Sequence, residues 1–396
     1  MRLSPDLRLT IGFLLTAACT GCATPRLDLG RRTGGSAALF AQFRAYDGRT
    51  GRPLNFTDVV RRCATADVIV FGEEHSDVVC NQLQAQLFHA LLTQPRPVAL
   101  AMEFFEADTQ ASLDAYLARR IDEPAFHRQT RQGRDYVVTH RPLIELARAT
   151  HTPVIAANAP RRLVRAYRKS GLDYRDFRAG LPAEDQRWLP RRNTYLSGPY
   201  EDRFLELMSG HDADAPTPAP QPASAPASQP SEPAATAPAD TPPPAAPADT
   251  HPAAEPAATH PGDPQPTTQP TESRPVAAPA ESQPAIAPSP DPSNSPQRMY
   301  WAQLLWDEAM AESVALARRS RPYQRVLLIV GAFHVAHEGG TTEKIRARRP
   351  RDRIVTLVYR GRTDGGLGLE PEDVGAGDVL LYGVKPPVEL AGSRGG

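Results

Sequence analysis

Short apolar runs separated by helical patterns dominate the chain on both sides of one proline-rich stretch. Five of these runs have the length and the β-branched content of buried strands. Val79, Leu83, Leu87 and Leu91 follow the first run and would form one apolar helical stripe. Strands that alternate with helices predict an α/β fold, a mainly parallel sheet with helices on both faces. The predicted strands are residues 67–71, 97–102, 153–157, 326–330 and 354–359.

The proline-rich stretch, residues 212–296, has a composition unlike the rest of the chain. It consists almost wholly of Pro, Ala, Thr, Ser, Asp, Glu and Gln, and it has essentially no large apolar residues. Such a segment buries too little surface to offset its ordering entropy, so we expect it to be disordered. Three predicted strands precede it and two follow, and neither set makes a convincing sheet alone. We therefore expect an insertion into one domain built from residues 45–211 and 297–390; closing so long a loop costs only about 4 kcal/mol beyond a constant.

The first 19 residues have the features of an export signal. Two arginines precede an apolar run over residues 9–15, which is too short to span a bilayer as a stable helix. Small residues then lead directly to Cys19 and predict cleavage before this residue and lipidation of its thiol. Cys22 is the alternative lipidation site, and a plain secretory peptide or an uncleaved anchor remains open. The leader predicts a lipid-anchored protein of the cell envelope, on the periplasmic or outer-membrane face.

The charge balance of the chain and the spacing of its other two cysteines argue against nucleic-acid binding and against a disulfide. The chain has 45 basic and 45 acidic residues, and this balance argues against the basic face that nucleic-acid binding requires. Export makes a disulfide between Cys63 and Cys80 worth testing. The predicted strand between them would span roughly 16–20 Å, whereas a disulfide needs Cα atoms within about 7 Å. We predict two free thiols.

Polar residues follow four of the predicted strands. In open parallel sheets, ligands bind beyond the carboxyl ends of the strands. The first and fourth predicted strands run into the Gly-x-x-His motifs at 72–75 and 331–334, and the second and third end at Glu103 and Asn158. Each residue has a structural explanation of its own: a hydrogen-bonding His, a helix-capping Glu, a turn-forming Asn. Their convergence predicts one pocket at a common edge. Its expected members are Glu73, His75, Glu103, Asn158 and His334.

The helix after the first motif is expected to begin near Ser76 or Asp77, which are both good N-caps. Its first turns would then bring Cys80, Asn81 and Gln84 to the same edge, with Cys80 in the simplest case a small apolar filler. The helix dipole would favour an anionic ligand group there.

With these motifs the chain resembles the ChaN-like haem-binding lipoproteins, which are grouped with the Tiki and erythromycin-esterase-like proteins. The resemblance spans roughly residues 45–211 and 297–360. It implies an α/β fold, haem as the cofactor, and haem capture linked to iron uptake. It is based on Gly-Glu-x-His at 72–75, Met-Glu-Phe at 102–104, Ala-Ala-Asn at 156–158, the segment at 300–311 with Tyr-Trp-Ala-Gln, Trp-Asp and Met-Ala, and Gly-x-x-His at 331–334.

The chain departs from this family pattern at two places. Relatives often have a His-His pair where this chain has Cys80-Asn81, and many have a Tyr in a Tyr-x-Pro element where it has His140-Arg141-Pro142. Because haem iron accepts His, Tyr, Cys or Met, the resemblance leaves the axial ligand open. The histidines under consideration are His75, His140, His211 and His334.

The sequence is compatible with three functions. The first is a haem-binding envelope lipoprotein that is not an enzyme. His75 or His334 would ligate or flank the iron, and Arg161 and Arg162 would pair with the propionates. Aromatic walls suit a flat ligand, and the candidates are Phe104, Phe105 and Phe333. The expected partners are haem and the membrane that holds the lipid anchor. The oligomeric state is open, with a homodimer among the arrangements considered.

The second function is a hydrolase of the esterase or peptidase type. Glu73 would orient His75 as a general base, Glu103 would act as a second acid or base, and His334 would polarise the substrate. Two histidines and a carboxylate also suit a divalent metal. The third function is a scaffold lipoprotein whose pocket has degenerated.

Overall fold

The structure is a computed structural model, and it describes residues 36–213 and 295–385. These residues contain one eight-stranded sheet with the order β2-β1-β8-β7-β3-β6-β4-β5. The strands are β1 (Phe43–Asp47), β2 (Pro53–Leu54), β3 (Val68–Glu73), β4 (Val98–Glu106), β5 (Val154–Asn158), β6 (Arg325–Gly331), β7 (Ile354–Arg362) and β8 (Val379–Val384).

Six neighbouring strands, from β8 to β5, run parallel to one another. The strand β1 is antiparallel to β8, and β2 is antiparallel to β1. The predicted α/β fold class is thus confirmed. Because β6 lies between β3 and β4, the chain segments before and after residues 214–294 contribute to the same sheet. Most of the predicted insertion lies outside the described residues, and its boundaries stay predictions.

Three strands were not predicted from the sequence. The run Val379–Val384 forms β8 and is as apolar as the predicted strands. The strand β1 has only five residues, in which buried and exposed positions alternate at the start, and β2 has two. Pairing with β8 orders β1, so tertiary context decided what the short local pattern left undetermined.

Helices cover both faces of the sheet. Alternate strand residues such as Ile69 and Leu327 face one core, and their neighbours Val68 and Leu328 face the other. The helices are α1 (Ser36–Ala41), α2 (Phe56–Ala64), α3 (Val78–Leu92), α4 (Gln110–Leu117), α5 (Glu123–Thr130), α6 (Arg141–Ala149), α7 (Arg161–Ser170), α8 (Tyr174–Ala179), α9 (Ala183–Gln186), α10 (Pro199–Ala213), α11 (Pro296–Ser320) and α12 (Gly340–Arg348). Helices α2 to α6 pack on the first face, and α11 and α12 pack on the second.

The helix after the first Gly-x-x-His motif begins as expected. Asp77 is the N-cap of α3, and its Oδ1 accepts a hydrogen bond of 2.9 Å from the backbone N–H of Cys80. This cap satisfies one of the helix's free N–H groups and fixes where the loop that carries His75 must end.

Cys63 and Cys80 are free and buried, which confirms the prediction of two thiols. Burial raises the pKa of the Cys80 thiol well above its ordinary value, so this side chain is an inert core group. No helix within residues 36–213 and 295–385 is long and apolar enough to cross a membrane.

Candidate functional site

The two Gly-x-x-His loops leave the sheet side by side. Strands β3 and β6 are parallel neighbours, and Glu73 is paired with Gly331 where they end. A Cβ atom on Gly72 would lie 2.9 Å from the Cα atom of Ala332, and one on Gly331 would lie 3.3 Å from Cε1 of His75. Both positions favour glycine because the loops approach each other so closely. Residues about 260 positions apart thereby share one edge, as the sequence predicted.

Glu73 is the centre of a buried polar cluster. Its Oε2 atom accepts a hydrogen bond of 2.7 Å from Gln84 and lies 3.3 Å from Nε2 of His140, and its Oε1 atom lies 3.1 Å from Nδ1 of His75. Burial opposes ionisation of this carboxyl, but the hydrogen bonds with His140 and His75 hold its pKa below the ordinary value. A buried, ionised carboxylate with three partners fixes the orientation of the side chains around it.

His75 is the exposed member of this cluster. Its side chain is 62% exposed, whereas that of Glu73 is fully buried. The hydrogen bond with Glu73 raises the pKa of His75, although partial burial opposes the change. Since Nδ1 is engaged by the carboxylate, Nε2 is the ring nitrogen left for a ligand.

His334 belongs to a second buried cluster. Its Nδ1 atom lies 2.7 Å from Oδ1 of Asp307, and its Nε2 atom lies 3.7 Å from Oε1 of Glu103. Tyr200 and Thr341 also donate hydrogen bonds to Asp307, at 2.9 and 2.6 Å. Burial by itself would lower the pKa of His334, but the carboxylates of Asp307 and Glu103 raise it to about 9.

Glu103 connects the two clusters. Its Oε2 atom accepts a hydrogen bond of 2.7 Å from the backbone N–H of Gly331, the residue against which His75 packs. The sequence placed Glu103 after its strand, but β4 continues to Glu106 through an irregularity in its pairing with β5. Glu103 therefore lies within a strand and does not cap a helix.

Asn158 and His140 lie at the same edge, and each forms hydrogen bonds within the protein. Asn158 ends β5, and its Oδ1 atom accepts a hydrogen bond of 2.9 Å from the backbone N–H of Ala159, as in the turn weighed for it. His140 is 6% exposed. It precedes α6, and both its ring nitrogens have partners, Glu73 and Thr139. His140 thus supports Glu73 from inside the protein.

An apolar wall adjoins His75. The ring of Phe104 packs edge-on against His75, with centroids 5.5 Å apart, and stacks on His140 at 3.7 Å. Val137 and Val138, just before His140, are 52% and 66% exposed. The valines are thus linked to this wall through His140, the residue on which Phe104 stacks.

The other two candidate aromatic residues lie elsewhere. Phe105 is fully buried in the core beside Phe126 and Tyr136. Phe333 packs against Tyr200 and Phe204. Of the three phenylalanines considered for the wall of the pocket, Phe104 is the one that contacts the exposed histidine.

The remaining candidates have other partners or lie beyond the described residues. Arg162 forms two hydrogen bonds with Asp185, whereas Arg161 is 72% exposed beside Glu106. His211 lies in the last turn of α10, and its side chain is outside the described part, as is Cys19. Among the described residues, no group of three or more His, Cys, Asp or Glu side chains is arranged to hold a metal ion.

Sequence reasoning gave no role to Asp307 and Gln303, the partners of His334. A signal was present, because Leu304, Asp307, Ala311 and Val314 share one helical face and all four are buried in α11. A carboxylate on an apolar stripe predicts a buried cationic partner, but not which one. Only the fold shows that the partner comes from the loop after β6.

The chain matches the protein family described as "Haem-binding uptake, Tiki superfamily, ChaN" over residues 59–345. This chain belongs to that family. The match includes both Gly-x-x-His motifs and the residues around them. It confirms the resemblance found in the sequence, and haem as the cofactor associated with the family.

A solved structure describes cofacial heme binding to ChaN of Campylobacter jejuni. That protein is 13% identical to this chain, the alignment covers 86% of this chain and 96% of the other, and the TM-score is 0.48. No curated protein gives a significant sequence match. Membership of the family therefore rests on the family match alone.

Proposed function

We propose that this protein binds haem at the carboxyl edge of its sheet and that His75 is the residue that meets the iron. The observation that carries the proposal is an exposed imidazole whose Nδ1 atom is held by a buried carboxylate, 3.1 Å away. A histidine that ligates a metal commonly donates its other ring N–H to a carboxylate, which fixes the ring and raises its basicity. His334 lacks this exposure, since it is only 6% exposed.

The surroundings of His75 fit a flat apolar cofactor. Such a ligand needs aromatic and aliphatic walls with few polar groups. Phe104 borders the imidazole and stacks on His140, and Val137 and Val138, which precede His140 in the chain, present apolar surface to solvent. A ligand that covers such exposed aliphatic side chains removes apolar surface from water, which favours binding.

Each residue of the site has a separate task in this proposal. Bound haem would supply an iron centre that accepts an imidazole nitrogen. Glu73 orients His75 and stabilises its ring, while His140 and Gln84 hold Glu73 in place. Phe104 and the two valines exclude water from the face of the ring system. No proton transfer is required of these side chains.

We also propose that the protein is an envelope lipoprotein that takes part in haem or iron uptake. The support is the leader of residues 1–19, with small residues directly before Cys19, together with the uptake function in the family's description. The full chain with Cys19→Ser should lose its acyl group and its membrane association, whereas Cys22→Ser should keep both. Acylation of the Cys19→Ser variant would assign the lipid to Cys22.

A hemin titration of the protein lacking residues 1–22 tests the haem site. The wild type should give a saturable shift of the Soret band, and His75→Ala should lose at least tenfold in affinity or change the band position. His89→Ala is the matched control, because His89 is exposed on α3 and has no place in the site. The absence of a saturable band would refute haem binding. A spectrum unchanged in His75→Ala would show that another residue ligates the iron.

A hydrolase is the second candidate, and the same His75–Glu73 pair favours it. An exposed histidine oriented by a carboxylate is also the arrangement of a general base that activates water. A screen with ester and peptide substrates separates the two functions. Turnover that is lost in His75→Ala and kept in His89→Ala would establish the hydrolase, and no turnover would remove it.

A further inference from the structure

A cavity of about 340 Å³ lies beside Glu103, between α7 and α11. Its size falls within the lower range of ligand pockets. Ala302 and Val164 give it an apolar part, and Asn158 borders it at the end of β5. The remaining lining residues, apart from Glu103, are Arg161, Arg165, Arg168 and Trp306.

The three arginines form a basic stripe on α7. Positions separated by four and three residues lie on one face of a helix, so these side chains reach the cavity together. Arg161 contacts Glu106 at 3.7 Å, whereas no carboxylate within the described ranges forms an ion pair with Arg165 or Arg168. Glu103 is the one acidic residue in the lining, and it already accepts the Gly331 N–H and faces His334. The cavity therefore has an excess of positive charge.

Two donors at this cavity are buried without an acceptor. The indole Nε1 of Trp306 and the Nε of Arg168 are hidden from solvent, and neither has a hydrogen-bond partner in the described part of the chain. Leaving a buried donor unsatisfied costs about 1–3 kcal/mol, more for a charged group. Native proteins leave few such groups without a partner. The side chains that carry these donors line the cavity, and an oxygen-rich anion that entered between them would supply the missing acceptor after a small side-chain shift.

We propose that this cavity is a carboxylate subsite in which Arg165, Arg168 and the Trp306 indole hold the acidic side groups of the tetrapyrrole. The subsite rests on the proposed haem function and assigns the polar end of the ligand to specific residues. Guanidinium groups suit carboxylates because their planar forks donate paired hydrogen bonds. Arg162, by contrast, is engaged by Asp185, and neither residue lines the cavity. The apolar ring would then lie toward His75 and Phe104, and its carboxylates toward α7.

The test compares hemin with its dimethyl ester, which keeps the iron and the ring but has no free carboxylates. Both ligands are titrated in the same dilute detergent into the wild type and into Arg165→Gln/Arg168→Gln, without residues 1–22. The wild type should bind hemin at least about tenfold more tightly than the ester, since two charge-assisted contacts are lost with the ester. In the double variant this ratio should fall close to one, through weaker binding of hemin and not through tighter binding of the ester.

Two further variants serve as controls. Arg319→Gln/Arg351→Gln removes the same charge from two exposed positions away from the cavity and should keep the wild-type ratio. Arg165→Lys/Arg168→Lys keeps the charge but not the planar fork and should recover part of the ratio. Thermal unfolding of each variant without ligand shows that the affinities refer to folded protein.

The outcomes separate the subsite from the function on which it rests. A wild-type ratio near one, or a ratio that persists in Arg165→Gln/Arg168→Gln, overturns the subsite and leaves haem binding intact. The absence of a Soret shift with either ligand overturns the proposed function and the subsite with it. In His75→Ala, weaker binding of both ligands at an unchanged ratio would support separate roles for the iron ligand and the arginines.

Discussion

Two arginines in this protein, Arg318 and Arg168, differ in whether their buried donors are satisfied. The guanidinium of Arg318, near the amino ends of the strands, has all five of its N–H donors engaged. Its acceptors are the carboxylates of Asp67 and Asp352 and the carbonyl groups of Pro322 and Gln324. Arg168, which lines the cavity beside Glu103, has a buried Nε with no partner among the described residues.

In our proposal this difference distinguishes a structural arginine from a ligand-binding one, although Arg325 in β6 also has a buried Nε and Nη1 without a partner among the described residues. The Arg318 cluster, comprising Arg318 with Asp67, Asp352, Arg96 and Arg349, is internally complete: burial opposes ionisation, yet the arginines keep the pKa values of both carboxyls below their ordinary values. A complete network needs no ligand and serves the fold. At the carboxyl edge, Nε2 of His75 and the buried donors on α7 and α11 have no partner among the described residues, and in our proposals a ligand supplies it. Four predictions test this contrast.

Replacing Arg318 should give the largest effect on stability. Arg318→Met leaves the buried ends of two carboxylates with fewer partners and the carbonyl groups of Pro322 and Gln324 without this donor, so we expect a loss of about 4 kcal/mol in the free energy of unfolding. Urea unfolding of the protein without residues 1–22 measures it, and Arg319→Met, at an exposed neighbour, should stay within about 0.5 kcal/mol. A loss below about 1 kcal/mol would show that the cluster is not essential to the fold.

The proton on His334 should contribute stability on the order of 3 kcal/mol, since each pKa unit is equivalent to about 1.4 kcal/mol. Its pKa is raised from 6.5 to about 9 in the folded protein. A raised pKa means that the folded state binds the proton more tightly, so the contribution is complete below pH 6.5 and is lost as the pH rises through 9.

Urea midpoints measured between pH 6 and pH 10 test this effect of His334. The wild type should lose stability across that interval more steeply than His334→Gln, because the variant lacks the titrating group. Parallel curves for the two proteins would contradict the buried ion pair between His334 and Asp307.

Glu73→Gln should cost about 2 kcal/mol in the free energy of unfolding, because a buried acceptor of charge-assisted hydrogen bonds is lost. Hemin affinity should also fall roughly 10- to 100-fold, since a partner that orients a metal ligand is removed. Glu74→Gln is the neighbouring control. Its partners are Gly361 and Lys385, and its hemin affinity should stay within about twofold of the wild type. Equal effects of both variants would deny Glu73 a specific role.

The smallest effect is expected at the exposed wall. Val138→Ser should change the free energy of unfolding by less than about 0.5 kcal/mol, because the side chain is already 66% exposed. It should weaken hemin binding by a few fold, since less apolar surface is covered by the ligand. Leu172→Ser, at another exposed aliphatic position, should leave the affinity unchanged. Equal hemin affinities for the wild type, Val138→Ser and Leu172→Ser would show that the haem does not contact Val138.

The sequence alone determined the fold class, five of the parallel strands and the shared edge of the two Gly-x-x-His motifs. These inferences succeeded because they depend on local quantities, namely the length of apolar runs, helical periodicity and the rule that parallel strands end at a common edge. The two free thiols followed from strand length in the same way. Strand β1 was missed because its alternation of buried and exposed positions is confined to its first three residues.

Only the tertiary structure decided how the polar residues divide their tasks. The sequence puts His75 and His334 in matching Gly-x-x-His motifs and leaves His140 as an alternative ligand, yet His75 is exposed and the other two are buried against different carboxylates. Exposure and hydrogen-bond partners depend on which helix packs over each strand end. Asp307 is contributed by α11, and the arginine cavity exists because α7 packs beside that helix. Such contacts join residues more than a hundred positions apart, and local sequence patterns carry no information about them.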